Sequence, residues 1–119
     1  MTQSKTFEKS ARLLNARQYS EVFNAVETRA STKHFLVLAK QNQSLGARLG
    51  IIVAKKHVKL AVDRNRIKRL MRETFRHSQY RVLPLDLVIL AKQGAGLLDK
   101  QTCSKELNRL WHKVGQKSQ

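Results

Sequence analysis

The sequence predicts an α+β protein, a two-layer sandwich in which helices pack on a sheet of three or four strands. Apolar residues recur at helical spacing in three segments, and three other segments are short runs rich in Val, Ile and Leu between polar or glycine-containing turns. Each helix carries one apolar stripe that must be buried against another element. The predicted element order is α-β-β-α-β-α. Because 119 residues supply one hydrophobic core, we expect one domain over residues 1–119, with loose tails at about residues 1–10 and 115–119.

The first half of the chain is predicted to hold one helix and two strands. Asn15 followed three residues later by Gln18 resembles a capping box, and apolar residues then recur at helical spacing, which predicts a helix over residues 16–27. Two apolar runs of strand length follow, with a loop between them that suits a hairpin. The strands are residues 33–40 and 48–54, and the loop is residues 41–47.

The second half is predicted to hold a long helix, a strand and a final helix. The long helix covers residues 59–78, the strand covers residues 86–92, and Asp99 can cap the helix that follows. Each helix has a single apolar stripe. The stripe of the long helix is Ile67, Leu70, Met71, Thr74 and Phe75, and that of the final helix is Cys103, Leu107, Leu110, Trp111 and Val114.

The net charge of the chain is strongly positive. Lys and Arg number 24 against 8 Asp and Glu, a formal charge of +16, while the hydrophobic fraction of 41% is high enough for a folded protein. An excess of positive charge attracts polyanions over long distances and gains free energy from counterion release. Nucleic acid is therefore the first candidate partner.

The composition also bears on location. The longest apolar stretches fall far short of the roughly 20 residues that span a bilayer, and the first nine residues are polar, so we expect neither a membrane helix nor a signal peptide. Cys103 is the single cysteine and cannot form an intramolecular disulfide, which agrees with a reducing compartment. We expect a cytoplasmic protein.

Positive charge is densest in and before the long helix. Residues 55–77 contain nine Lys and Arg against two acidic residues, a local net charge of +7. A solvated helix surface usually mixes signs for i,i+4 pairing, whereas arginine forks bind phosphate bidentately. We therefore expect the side opposite the apolar stripe to bind RNA or DNA. The candidate binding residues are Asn65, Arg69, Arg72 and Arg76 on that side, Lys68 and Arg66 on its flanks, and Arg64 nearer the apolar edge.

The basic segment at residues 55–76 resembles the signature of the bacterial ribonuclease P protein family. Its sequence is KKHVKLAVDRNRIKRLMRETFR, in which the family's RNR helix stands as Arg64-Asn65-Arg66. The resemblance extends over most of the chain. It also includes Leu13-Leu14, Tyr19, Val22-Phe23, Phe35, Arg48, Gly50, Val53, Asp86, Val88, Ala91, Leu107 and Leu110-Trp111.

The resemblance implies a subunit that joins a large catalytic RNA to form the endoribonuclease that removes 5′ leaders from precursor tRNA. The RNA with its bound Mg²⁺ would be the catalyst, and one protein would bind each RNA. A left-handed crossover through the long helix is implied by the family and by nothing in the residues themselves. The family also implies a cleft for the single-stranded leader. In this chain the matching residues are Tyr19, Phe23, Phe35, Val37, Lys55 and Lys56.

The physics of the leader cleft allows two interpretations. Aromatic faces stack on unpaired bases with little sequence preference, and nearby lysines could follow the phosphates. Alternatively, Tyr19 and Phe23 simply pack on the sheet as core residues. The residue pattern does not decide between these interpretations.

No catalytic or metal site is predicted within the protein itself. The four histidines lack the spacing of a zinc pair, the single cysteine has no partner, and the eight carboxylates are scattered along the chain. Two other classes of nucleic-acid-binding protein remain as alternatives. A ribosomal-type RNA-binding protein or RNA chaperone would need only bulk charge, and a helix-turn-helix DNA regulator is disfavoured by the strands on both sides of the basic helix.

Overall fold

A four-stranded sheet forms the centre of the protein in the computed structural model, which describes residues 12–13, 15–43 and 46–118. Three α-helices pack on the sheet, and two short 3₁₀ turns, Gln79–Val82 and Ala95–Leu97, connect elements. In chain order the elements are α1 Ala16–Asn24, β1 Thr28–Ser31, β2 Phe35–Gln41, β3 Arg48–Ile52, α2 Ala61–Arg76, β4 Leu85–Ala91 and α3 Lys100–Ser118.

The strand order in the sheet is β1-β2-β4-β3, with β3 and β4 parallel and the other neighbours antiparallel. The predicted hairpin between β2 and β3 is therefore wrong, because β4 lies between them. The physical reason is the composition of β4, which is apolar along nearly its whole length and is buried on both faces only in a central position. Helix α2 makes the crossover from β3 to the parallel β4, and the handedness of that crossover stays a prediction.

Strand β1 is an addition to the predicted element order. Its four residues, Thr28–Ser31, include a single buried apolar side chain, Ala30, so they carry almost no strand signal in the sequence. The strand forms because it pairs with β2 at the sheet edge, where Ala30 lies opposite Val37.

Helices lie on both faces of the sheet. Helices α2 and α3 cover one face over the larger hydrophobic core, while α1 contributes Val22 to a smaller cluster with Leu38 and Val88 on the other face. The α+β class is confirmed, but the predicted two-layer arrangement is wrong, because α1 buries Val22 on the opposite side of the sheet from α2 and α3. Within the described residues, no helix combines the length and the apolar character needed to cross a membrane.

The helix ends follow the predicted caps at two places and differ at a third. Asn15 Oδ1 accepts the Gln18 backbone N–H at 3.0 Å, and Asp99 Oδ1 accepts that of Thr102 at 2.7 Å. Helix α3 continues to Ser118, so the predicted loose tail from residue 115 is wrong for residues 115–118. Gly115 is buried there because the Tyr80 ring packs directly on it. The tail predicted for residues 1–10 lies outside the described residues.

Candidate nucleic-acid interface

The apolar side of helix α2 is buried and fixes the orientation of the helix about its own axis. The predicted stripe is confirmed, since Ile67, Leu70, Met71 and Phe75 are buried against the sheet and α3. Thr74, the fifth member, donates to the Leu70 carbonyl at 2.8 Å and accepts the Trp111 indole N–H at 2.8 Å. This orientation determines which side chains of α2 point to solvent.

The opposite side of α2 presents the positive charge. We call it the outer face of α2, and it consists of Asn65, Lys68, Arg69, Arg72 and Arg76. Asn65 and Arg69 are exposed, and the other three are half-buried. The single acidic residue among the exposed and half-buried positions from 65 to 76 is Glu73. Such a surface offers several phosphate-binding groups in one row.

Arg64 and Arg66 have backbone partners within the protein. Arg64 Nη1 donates to the carbonyls of Val58 at 3.0 Å and Lys59 at 2.7 Å. Arg66 donates to the Leu98 carbonyl at 2.9 Å through Nη1 and to the Gly96 carbonyl at 3.1 Å through Nη2. The two outer residues of the RNR sequence therefore tie the segments before and after α2 to the helix.

A second candidate surface is a cleft between α1 and the sheet. We call it the α1 cleft. Tyr19 from α1 and Leu36, Ile52 and Leu90 from three adjacent strands border the smaller cluster there, and Phe23 follows Tyr19 by one helical turn on α1. Phe23 is 42% exposed, and the strand residues are half-buried. An exposed aromatic side chain on the helix that packs on this face of the sheet is suited to stacking against an unpaired base.

Tyr19 serves the sheet as well as the cleft. Its hydroxyl oxygen accepts the Ile51 backbone N–H at 3.1 Å, and its ring lies on Gly50, where a Cβ would come within 2.7 Å of a ring carbon. Only a glycine at position 50 permits this approach. The hydroxyl satisfies a backbone donor on the outer edge of β3, so part of the packing interpretation holds for Tyr19.

Phe35 and Val37 do not line this cleft, and that part of the prediction is wrong. Both are fully buried under α2 and α3, on the opposite face of the sheet from α1. Successive side chains of a strand alternate between faces, so it is Leu36 that faces α1. Lys55 and Lys56 are exposed in the turn after β3, close in the chain to the cleft residue Ile52.

A buried polar cluster lies at the other end of the α1 face of the sheet. Asp86 accepts from Arg48 Nε at 2.8 Å and Nη2 at 2.6 Å, and from Asn42 Nδ2 at 2.7 Å. Burial alone would raise the pKa of Asp86, but these hydrogen bonds and the Arg48 charge outweigh it and lower that pKa from its ordinary value. Asp86 is thus held as a carboxylate and joins β4, β3 and the end of β2.

Two titratable side chains of α3, Cys103 and Glu106, lie in buried positions. The described residues contain no group of three His, Cys, Asp or Glu side chains that could hold a metal ion. Burial raises the pKa of the Cys103 thiol to about 11, so the thiol is not a nucleophile near neutral pH. Glu106 accepts from Thr32 Oγ1 at 2.6 Å and from the His34 backbone N–H at 2.8 Å, which fastens the β1–β2 turn to α3.

The fold and these surfaces define a class: a small basic α+β protein that presents arginines on one helix and an aromatic cleft on the other side of its sheet. Comparison with known proteins narrows the class. The family model for Ribonuclease P matches residues 7–115. The chain is 48% identical to the ribonuclease P protein component of Marinobacter nauticus over 112 residues. This alignment covers 94% of this chain and 84% of that protein.

Two further comparisons agree. The ribonuclease P protein component of Pseudomonas aeruginosa is 42% identical over 111 residues, covering 93% of this chain and 82% of that protein. The structure of the Staphylococcus aureus RNase P protein superimposes with a TM-score of 0.80 at 28% identity, covering 89% of this chain and 98% of that one.

The chain belongs to the ribonuclease P protein family. It takes part in tRNA 5′ maturation as the protein component of that endoribonuclease, and its partner is the RNase P RNA.

Proposed function

We propose that the chain binds the catalytic RNA of ribonuclease P through the outer face of α2 and the 5′ leader of precursor tRNA through the α1 cleft. The binding of the catalytic RNA is supported by the difference between the two sides of α2, one apolar and buried and the other basic. One side is anchored by Ile67 and Met71 in the core, and the other turns Arg69 and Arg72 outward. Phosphates of a folded RNA are the partner that a row of arginines fits best.

The leader assignment is supported by the position and chemistry of the α1 cleft. Phe23 is exposed on α1, the helix that packs on this face of the sheet, and Lys55 and Lys56 are exposed in the turn after β3. An unpaired strand could stack a base on Phe23 while its phosphates follow the lysines. Arg17, on the exposed side of α1, offers a further phosphate contact, although it also pairs with Glu21 at 3.4 Å.

The remaining parts of the assignment concern the holoenzyme. We place the Mg²⁺ ions with the RNA, because the described part of the protein lacks a cluster of carboxylate ligands. We also propose one protein per RNA, as the family resemblance implies. A cytoplasmic location agrees with a lone, buried cysteine.

Reconstitution tests the proposal. The full chain is mixed with the catalytic RNA and a precursor tRNA that carries a 5′ leader, and cleavage is followed at low Mg²⁺ concentration. We expect faster cleavage than with the RNA alone, because fixed positive charge replaces part of the diffuse counterions between RNA strands. The protein without RNA should not cleave.

The same assay separates the alternatives. A ribosomal-type RNA-binding protein or an RNA chaperone at equal concentration provides the control for bulk charge. If that control stimulates leader removal as strongly as this chain does, bulk charge suffices and the proposed docking is contradicted. Cleavage by protein freed of all RNA would contradict the assignment of catalysis to the RNA.

A further inference from the structure

A cavity lies beyond the carboxyl ends of the parallel strands β3 and β4. The turn after β3 forms one wall with His57 and Leu60, and the segment after β4 forms the other with Gln93 and Leu97. Its volume is about 250 Å³, and its lining is mostly apolar. In open sheets, the crevice outside the carboxyl ends of parallel strands is a common place for a ligand. The cavity belongs neither to the outer face of α2 nor to the α1 cleft.

Apolar side chains are strongly exposed at the mouth of this cavity. Leu97 is 91% exposed and Leu60 is 61% exposed, and Val62, on the adjacent first turn of α2, is 71% exposed. They are three of the six large apolar side chains that are exposed in the described part of the chain. A cluster of exposed apolar groups rimmed by charge marks a binding surface.

The walls of the cavity are fixed by the protein's own hydrogen bonds. Arg64 holds the carbonyl of Val58 in the first wall, and Arg66 holds that of Gly96 in the second. The two walls meet closely at their base, where a Cβ on Gly96 would lie 3.1 Å from Val58 Cγ1. The cavity is therefore formed before a partner arrives, which lowers the entropy cost of binding.

The charge around the cavity selects the kind of partner. Positive charge lies at the walls on Lys59, Arg64 and Arg66, and Asp63 is the one carboxylate among the described residues that line the cavity. An apolar slot inside a basic rim fits a polyanion that carries flat, largely apolar rings. RNA meets both requirements, whereas an apolar protein surface would gain nothing from this positive charge.

We propose that this cavity receives one unpaired nucleobase of the catalytic RNA. The inference rests on the proposed docking of α2 on that RNA. The imidazole of His57, whose Nδ1 lies 3.2 Å from Gln93 Oε1, offers an aromatic face for stacking, and Leu60 and Leu97 enclose the base from the apolar side. Arg64 and Arg66 act here as positioning residues, because they hold the walls of the cavity and do not themselves contact the base.

The first test measures affinity for the catalytic RNA with the variant Leu60→Ala/Leu97→Ala. Both leucines are exposed, so the fold should be retained. Val82→Ala is the matched control, since Val82 is 62% exposed and lies in the turn before β4. We expect the double variant to bind the RNA about ten-fold more weakly, as the removal of one stacked base does, with an unchanged dependence on salt because every phosphate-binding group is retained. The control should bind as wild type does.

The second test probes the RNA bases with dimethyl sulfate, which methylates accessible base edges. We expect at least one unpaired base to be protected in the wild-type complex and reactive in the complex with Leu60→Ala/Leu97→Ala. If the wild type binds the RNA while affinity and protection are unchanged in the variant, the cavity proposal is overturned and the proposed function stands. If the wild type fails to bind the RNA, the proposed function itself fails. Self-association of the RNA-free protein that the variant abolishes would assign the cavity to contact between copies and would also overturn the proposal.

Discussion

Arg66 and Arg69 lie three residues apart on α2 and use their charges differently. Arg66 donates to the Gly96 and Leu98 carbonyls, whereas Arg69 is exposed on the outer face of α2. We predict that Arg66→Ala lowers the free energy of unfolding by about 1–3 kcal/mol, the usual effect of removing a charged hydrogen-bond donor from partly buried acceptors. Arg69→Ala should change it by less than about 0.5 kcal/mol.

Urea denaturation of the two single variants and the wild type measures this difference directly. The assignment of Arg66 to the walls of the cavity fails if both variants unfold at the wild-type midpoint. Equal destabilisation by both would equally contradict it, since Arg69 would then have a structural partner.

Asp86 gives stability that depends on pH. Because its pKa is lowered in the folded protein, its contribution is complete above the ordinary value of 3.8 and is lost as the pH falls through the lowered value. We predict that Asp86→Asn is less stable than wild type at pH 7 and that the gap narrows as the pH falls from 3.8 toward 2. Denaturant midpoints of both proteins at pH 7 and pH 3 provide the measurement. A gap of constant size would show that the Arg48 pairing does not control this carboxyl.

At the scale of elements, α1 and the sheet form the α1 cleft, and its function can be tested apart from RNA docking. We predict that Phe23→Ala weakens holoenzyme binding of a precursor with a long leader by about ten-fold, because alanine offers no ring for a base to stack on, and leaves binding of mature tRNA unchanged. Equilibrium binding to both RNAs is the measurement, with Val82→Ala as an exposed apolar control. Equal losses on precursor and mature tRNA would show that Phe23 only supports the fold.

The two faces of the strands explain why the sequence predicted the cleft only in part. Helix α1 could be placed from its cap and its apolar spacing, and Tyr19 and Phe23 are where that pattern expects them. Strand β2 is apolar from Phe35 to Ala39, because helices cover both sides of the sheet there. Strand β2 therefore shows no apolar–polar alternation from which to predict that Leu36, and not Phe35, faces α1.

Helix α2 is the element that the sequence predicts best. Its two sides differ in chemistry, so the apolar stripe and the outer face could both be assigned from helical spacing. The hydrogen-bond partners of Arg66 could not be predicted from helical spacing, because the Gly96 and Leu98 carbonyls lie 30 and 32 residues further along the chain. Long-range hydrogen bonds of this kind depend on how α2 packs beside the segment after β4, which no local pattern records.

At the scale of the whole molecule, the charge of +16 raises the question of whether RNA binding depends on bulk charge or on one face. Arg69 and Arg72 belong to the outer face of α2, while Lys105 and Arg109 are exposed on α3. Replacing either pair by alanine removes the same two charges. The two double variants therefore separate a specific docking face from general electrostatic attraction.

The most direct measurement is the dependence of affinity for the catalytic RNA on salt concentration in these two double variants. For Arg69→Ala/Arg72→Ala we predict weaker binding and a log-log slope reduced by roughly 0.7–0.9 for each phosphate that the protein no longer neutralises. For Lys105→Ala/Arg109→Ala the slope should stay at the wild-type value. Equal reductions in both variants, or an unchanged slope in the first, would contradict docking through α2.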